Sequence, residues 1–177
     1  MSIAKTRRTF LVSTTAVGTG LLRPAAAGPM NFGDWLFDDR APRPVLLIRL
    51  LVGFVFVSEG IQKFLFADTL GVGRFIKIGI PAPELMAPFV GIVEIVCGLL
   101  VAIGLLTRIA ALPLVIDMLV AIASTKMPIL QKSGFWAMAH EGRTDMSMLL
   151  CCLFLILVGS GELSLDARLR SHIAART

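Results

Sequence analysis

Four apolar windows occupy most of the chain after residue 44, and they restrict it to folds that a lipid bilayer can accept. A helix that crosses a bilayer needs about 20 mainly apolar residues. The third window, at about 109–124, is short but can extend to Met127. The fourth, at about 146–158, can begin earlier, within "FWAMAHEGRTD". We therefore predict an all-α fold, a four-helix transmembrane bundle. The windows run at about residues 45–66, 85–106, 109–124 and 146–158.

The composition supports a membrane protein and excludes a nucleic-acid binder. The chain has 177 residues, of which 56% are hydrophobic and 16% are charged, and the mean hydropathy is +0.83. A soluble domain of this size needs more polar surface. Four of the 17 basic residues precede Met30, where no acidic residue occurs, so 13 basic residues then face 12 acidic ones. That balance leaves no basic patch for nucleic acid, and the lipid bilayer is the first expected partner.

The first 29 residues resemble a twin-arginine export signal. Arg7 and Arg8 precede a weakly hydrophobic stretch, and three alanines at 25–27 provide a small-residue cleavage site. Two other interpretations stay open: translation that starts at Met30, or an uncleaved tail. We accordingly divide the chain into a leader or upstream extension (1–29), a juxtamembrane segment (30–44), the membrane domain (45–168) and a basic tail (169–177).

The spacing of the windows predicts the topology. Only Thr107 and Arg108 separate the second and third windows, whereas the connections at 67–84 and 125–145 are longer. Both longer loops lie on one side of the membrane, here called side B, and each is expected to contain a short interfacial helix. The two termini and Arg108 lie on the opposite side A. Side A has six Lys and Arg residues after the leader against five on side B, which favours cytoplasmic termini in a bacterial inner membrane. A cleaved signal would reverse that orientation.

Charged residues inside the apolar windows are the main candidates for a functional site. Glu59, Glu94 and Asp117 belong to three windows, at depths of about 10, 14 and 10 Å from side B at the helical rise per residue. Charges in hydrocarbon are costly and face the interior of a bundle or water. Glu59 and Lys63 have the spacing of a helical ion pair, and Gln62 lies beside them. We expect a polar pocket open toward side B; the alternative is a polar clamp that only holds the helices together.

Several polar residues surround this predicted pocket or lie at the opposite end. Arg108 and Asp166 could pair on side A. His140 has no second histidine at metal-ligand spacing, so no metal site is expected. The cysteines Cys97, Cys151 and Cys152 lie in apolar runs and are expected to be packing thiols. The predicted mouth of the pocket consists of His140, Glu141, Arg143 and Asp145.

Five stretches together resemble the DoxX family of small bacterial membrane proteins. The resemblance covers about residues 45–168 and implies a four-helix membrane bundle that acts as an oxidoreductase component. The resemblance does not identify any cofactor ligand, and no such ligand is evident in the sequence. A quinone is nevertheless an expected electron acceptor. The stretches are "EGIQKF" (59–64), "IGIPAPELMAPFVGIVEIVCGLL" (78–100), "GLLTRIAALPLVIDM" (104–118), "HEGRTDMSML" (140–149) and "GSGELSLDARL" (159–169).

The resemblance implies a subunit that passes electrons from sulfur or thiol donors to quinone, or that organises a redox-defence complex. In this interpretation Lys63 binds an anionic or carbonyl oxygen, and Glu59, Glu94 and Asp117 relay protons or position the lysine. A second interpretation is a non-catalytic membrane anchor that recruits soluble partners, and a third is a small proton-coupled permease. The expected partners are soluble or membrane redox subunits and a second copy of the chain.

Overall fold

The computed structural model describes residues 41–174, and this part of the chain consists of helices joined by short turns, without a β-strand. The prediction of an all-α fold is confirmed. The predicted leader lies outside the described residues. In chain order the elements are α1 (Val45–Leu65), α2 (Val72–Lys77), α3 (Pro83–Ile103), α4 (Thr107–Ala121), a π-helical segment (Ile122–Lys126), α5 (Met127–Val158) and α6 (Leu165–Ala174).

Three helical stretches in the described part are long and apolar enough to cross a membrane: Val45–Leu65, Pro83–Ile103 and Thr107–Val158. The last has 52 residues and would extend about 78 Å if it were straight, against a hydrocarbon core of about 30 Å. It is interrupted at Gly134, whose φ of 82° and ψ of 177° are not helical. Helix α5 packs against α4, so the stretch folds back on itself. The division into four separate spans remains a prediction.

One of the connections differs from the sequence-based prediction. The turn between α3 and α4 is formed by residues 104–106, where Gly104 and Leu106 have positive φ values of 73° and 49°. Thr107 and Arg108 therefore do not form the turn but begin α4, and both are buried. The first long loop contains a short helix, α2, as expected. The second long loop also contains a short helical stretch, residues 127–133, which the break at Gly134 separates from the rest of α5. The predicted place of both short helices at the membrane interface stays a prediction.

Helices α1 and α3 approach each other along two glycine pairs. A Cβ atom placed on Gly60 would lie 2.6 Å from the Gly91 carbonyl oxygen, and one on Gly53 would lie 2.7 Å from that of Gly98. The two pairs are seven residues apart on each helix, so the antiparallel helices stay in close contact over two turns. A methyl group at either position would force the backbones apart.

The glycine contacts determine where the first charged side chains meet. Lys63 follows Gly60 by three residues, and Glu94 follows Gly91 by three. Helical side chains tilt toward the N-terminus of their own helix. In antiparallel helices these two side chains therefore lean toward each other. Below them, toward side A, an apolar core includes Val52, Phe56 and Leu114, which are at most 1% exposed.

Candidate functional site

The first buried ion pair joins α1 to α3. The Lys63 ammonium donates hydrogen bonds to both oxygens of Glu94, at 2.8 Å to Oε1 and 2.6 Å to Oε2. The side chains of Lys63 and Glu94 are 14% and 2% exposed. An ion pair that is buried to this extent costs desolvation energy, which its geometry must offset. The pair therefore either has a function or fixes the arrangement of the two helices.

Asp117, on α4, supplies a second carboxyl group next to this pair. The carboxyl groups of Asp117 and Glu94 are close enough to act on each other electrostatically. Asp117 Oδ2 is buried and has no hydrogen-bond partner among the described residues. The charges of Lys63, Asp145 and Glu59 act on this carboxyl group. A carboxyl oxygen without a partner in a buried, charged environment is rare in folded proteins and calls for an explanation.

A second buried ion pair joins the π-helical segment to α5. Lys126 Nζ lies 3.1 Å from Asp145 Oδ2, and the two side chains are 11% and 24% exposed. The stem of Lys126 passes close to Gly142, which has no side chain to obstruct it. Lys126 is the last residue of the π-helical segment, a type of irregularity that often occurs at functional sites. We call Lys63, Glu94, Asp117, Lys126 and Asp145 the side-B cluster.

Two residues of the predicted pocket lie outside the cluster. The predicted pairing of Glu59 with Lys63 is wrong, because Lys63 turns toward Glu94 while Glu59 is exposed on α1. The tertiary contact replaced the local one because the glycine contacts bring Glu94 within reach. Glu59 lies at the edge of the cluster, where its charge still acts on Asp117. Gln62 is half-buried and donates within its own helix to the Ser58 carbonyl and hydroxyl oxygens.

The four residues predicted to line the mouth of the pocket divide into two groups. Asp145 belongs to the cluster through Lys126. His140, Glu141 and Arg143 are exposed on α5, and Arg143 Nη1 lies 3.4 Å from His140 Nδ1. These three side chains do not contact the buried ion pairs through any described hydrogen bond. They stay candidates for a surface near the cluster.

The predicted ion pair between Arg108 and Asp166 is not present among the described salt bridges. Asp166 is fully buried and accepts hydrogen bonds from the backbone N–H groups of Leu106 and Thr107, at 3.0 and 3.5 Å. Arg108 Nη2 donates to the Leu157 carbonyl oxygen at 3.4 Å. The N–H groups at the start of α4 need acceptors, and Asp166 provides them in place of a surface ion pair.

Arg49 is a central residue that the sequence analysis did not include in any site. It is 1% exposed and donates to four backbone carbonyl oxygens: Val101 at 3.0 Å and Ala102, Ser160 and Leu163 at 2.8 Å each. Two of these carbonyls belong to the last turn of α3. Arg49 lies only four residues after the start of α1, a position that suggests a side chain extending to the membrane surface. No local pattern distinguishes that conformation from burial against another helix. We call Arg49, Thr107 and Asp166 the side-A node.

The sequence analysis did not pair Lys126 with Asp145. Its pairing with Asp145 depends on the reversal at Gly134, which brings α5 back along α4. The sequence predicts a reversal in the loop at 125–145 but not the residue at which it occurs, so it does not determine which residues of α5 lie opposite Lys126. The partner of Lys126 therefore could not be identified without the tertiary structure.

Comparisons with known proteins agree with a membrane protein. The sequence model of the DoxX family matches residues 45–127. The chain is 55% identical over 146 residues to uncharacterized membrane protein Rv3486 of Mycobacterium tuberculosis, covering 79% of this chain and 90% of that protein.

Two more distant relatives also match over most of their length. A Bacillus subtilis protein named "Putative oxidoreductase CatD" is 32% identical over 121 residues, which are 68% of this chain and 83% of the relative. An uncharacterized protein of Haemophilus influenzae is 31% identical over 127 residues, which are 70% of this chain and 90% of the relative. No solved structure matches the chain.

Proposed function

Because the chain belongs to the DoxX family of membrane proteins, we propose that it is a subunit of a membrane redox system in which the side-B cluster handles a quinone-like or small acidic molecule. The observation that carries the proposal is the buried Lys63–Glu94 pair beside Asp117, whose Oδ2 atom has no hydrogen-bond partner within residues 41–174. The name of the Bacillus subtilis relative, with its reference to an oxidoreductase, supports the same class of function.

The chemistry of the cluster suits a molecule that accepts electrons and protons together. Reduction of a quinone to a quinol consumes two electrons and two protons, and oxidation of two thiols to a disulfide releases the same numbers. Lys63 has three N–H donors, and the contacts with Glu94 account for two. The third can bind a carbonyl or anionic oxygen, while Glu94 and Asp117 hold or transfer protons. The electrons would come from a soluble or membrane-bound partner subunit in the bacterial inner membrane.

A non-catalytic anchor is the second candidate, and one specific observation favours it. Both oxygens of Glu94 already accept hydrogen bonds from Lys63, so the ion pair satisfies itself without a ligand. A cluster of this kind can hold helices together while exposed loops recruit redox partners. The aromatic residues Phe135 and Trp136, which are 57% and 83% exposed beside Gly134, are the first residues to test on such a surface.

The two candidates respond differently to changes in the cluster. We would measure thiol-dependent reduction of a short-chain quinone in membranes that contain the full chain with its native partners. In a redox subunit, Lys63→Met and Glu94→Gln should each lower the rate by about a hundredfold, the scale of one general acid or base. The control is Glu84→Gln, which neutralises an exposed glutamate on α3. Unchanged rates at equal protein levels in both cluster variants would overturn the proposal and favour the anchor.

A further inference from the structure

Glu59 occupies an unusual position for a charged residue. It lies six residues before the end of α1, about 9 Å below that end at the helical rise per residue, and its side chain is exposed. None of the hydrogen bonds and ion pairs described within residues 41–174 involves its carboxylate. A charged group at membrane depth faces the interior of a bundle or water. We infer that Glu59 lines a water-filled opening that leads from side B to the Lys63–Glu94 pair.

Glu59 belongs to the face of α1 that packs into the bundle. Residues three, four and seven apart lie on the same face of a helix. Phe56 and Val52, about one and two turns below Glu59 on this face, are 1% and 0% exposed. The exposed Ile61 lies on the opposite face of α1. The bundle therefore covers this face at Val52 and Phe56 and leaves it uncovered at Glu59.

Helix α5 shows the same change in burial along one of its faces. Cys152 is 0% exposed and Met148 is 6% exposed, whereas the side chain of Asp145 is 24% exposed. The spacings of four and three place these residues on one face, and Asp145 is the one nearest to the break at Gly134. The buried residues of both faces belong to one hydrophobic core. The two faces therefore meet in that core and separate toward side B.

Polar side chains connect this opening to the buried ion pair. Gln62 follows Glu59 by three residues and is half-buried, and Lys63, 14% exposed, reaches Glu94 from the same part of α1. An ionised carboxylate accepts hydrogen bonds, and water in the opening provides the donors that Glu59 needs. In a redox subunit, the same water supplies the protons that quinone reduction consumes. That use rests on the proposed function, whereas the presence of water beside Glu59 can be measured by itself.

Labelling of introduced cysteines in sealed vesicles tests the opening. Glu59→Cys and Gln62→Cys should react completely with a membrane-impermeant maleimide added on one side of the membrane, because the reactive thiolate forms in water and not in apolar surroundings. The matched control is Ile61→Cys, which lies between them in sequence but on the opposite face. It should stay at the background of the wild-type protein, although it is nearer the end of α1 than Glu59. Mass spectrometry of the peptides identifies the labelled residue.

Three results would overturn the inference. The first is a folded Glu59→Cys variant that stays at background; a disulfide-linked dimer of that variant would show that a second copy covers this face. The second is equal labelling of Ile61→Cys, which would place the whole end of α1 in water. The third is equal labelling from both sides of the membrane. If Glu59→Cys fails to fold, Gln62→Cys compared with Ile61→Cys decides between the same outcomes.

Quinone reduction by Glu59→Leu separates this inference from the proposed function. An apolar side chain at residue 59 excludes water, so the rate should fall if the protons pass through the opening. Labelling of Glu59→Cys with an unchanged rate in Glu59→Leu supports the opening and contradicts its role in proton supply. Absence of labelling, with the rate lost in Lys63→Met, overturns the opening and supports the redox subunit.

Discussion

The two groups of buried charges in this protein are satisfied in different ways. In the side-A node, Arg49 donates to four backbone carbonyl oxygens, and Asp166 accepts from two backbone N–H groups. In the side-B cluster, charged side chains bond to charged side chains, and Asp117 Oδ2 has no hydrogen-bond partner in the described part of the chain. Both groups are buried, so burial alone does not distinguish them.

The difference in partners indicates a difference in role. A backbone carbonyl or N–H group cannot gain or lose a proton under physiological conditions, so the partners of Arg49 and Asp166 do not change their charge. Carboxyl and ammonium groups that bond to each other can exchange protons, and their pairing changes with each exchange. We therefore regard the side-A node as structural and the side-B cluster as the chemically responsive part. Substitutions should separate the two groups by their effects on folding and on activity.

The largest expected effect is the loss of Arg49. Arg49→Met removes the Arg49 donor from four backbone carbonyl oxygens, of which that of Val101 still accepts from the Gly104 N–H group at 3.1 Å. Each buried carbonyl left without a donor costs about 1–3 kcal/mol, against a total stability of about 5–15 kcal/mol for a typical domain. We expect little or no folded protein. Thermal unfolding and size-exclusion chromatography in detergent would measure this. Recovery of normally folded Arg49→Met, with an unfolding temperature close to that of the wild type, would contradict a structural role for the side-A node.

The second effect concerns the ion pair in the side-B cluster. Glu94→Ala leaves the Lys63 ammonium buried without a partner, which should cost about 3–5 kcal/mol. The double variant Lys63→Met with Glu94→Met removes both charges at similar volume and should recover most of this loss, because buried ion pairs are often replaceable by apolar residues. Quinone reduction should be absent in both. A double variant that is as unstable as Glu94→Ala would show that the cluster, too, is mainly structural.

The fold class was predictable because it depends on local composition. Long apolar windows are a property of the sequence, and only helices or closed barrels satisfy the backbone in lipid. Glu94 and Asp117 were identified for the same reason, since a carboxyl group in an apolar window is visible without any structure. The depth estimate also placed them at similar levels. The family relationship was equally visible in the sequence.

The partners of the charged side chains were not predictable to the same extent. The sequence places Glu59 one turn from Lys63, but the contact between Gly60 and Gly91 brings Glu94 closer to the lysine. Arg49 looked like a residue that extends to the surface, and only the meeting of α1 with the end of α3 shows otherwise. Asp166 and Arg108 have opposite charges, yet the backbone at the start of α4 competes successfully for the carboxylate. In each case a contact between distant helices replaced a local one.

The smallest expected effect is the loss of an exposed ion pair at side A. It tests whether a charged residue there stabilises the fold when it is not buried. Arg43 Nε donates to Glu162 Oε2 at 3.1 Å, but the side chains are 76% and 56% exposed. Exposed pairs contribute about 0–1 kcal/mol and are screened by salt. Arg43→Met should therefore shift the unfolding temperature little, and less at high ionic strength. It is also the matched control for Arg49→Met, because both substitutions remove an arginine at the same end of α1. A large decrease in the unfolding temperature of Arg43→Met would mean that a positive charge at this end of the molecule stabilises the fold without carbonyl partners. The hydrogen bonds of Arg49 would then not explain why the side-A node differs from the side-B cluster.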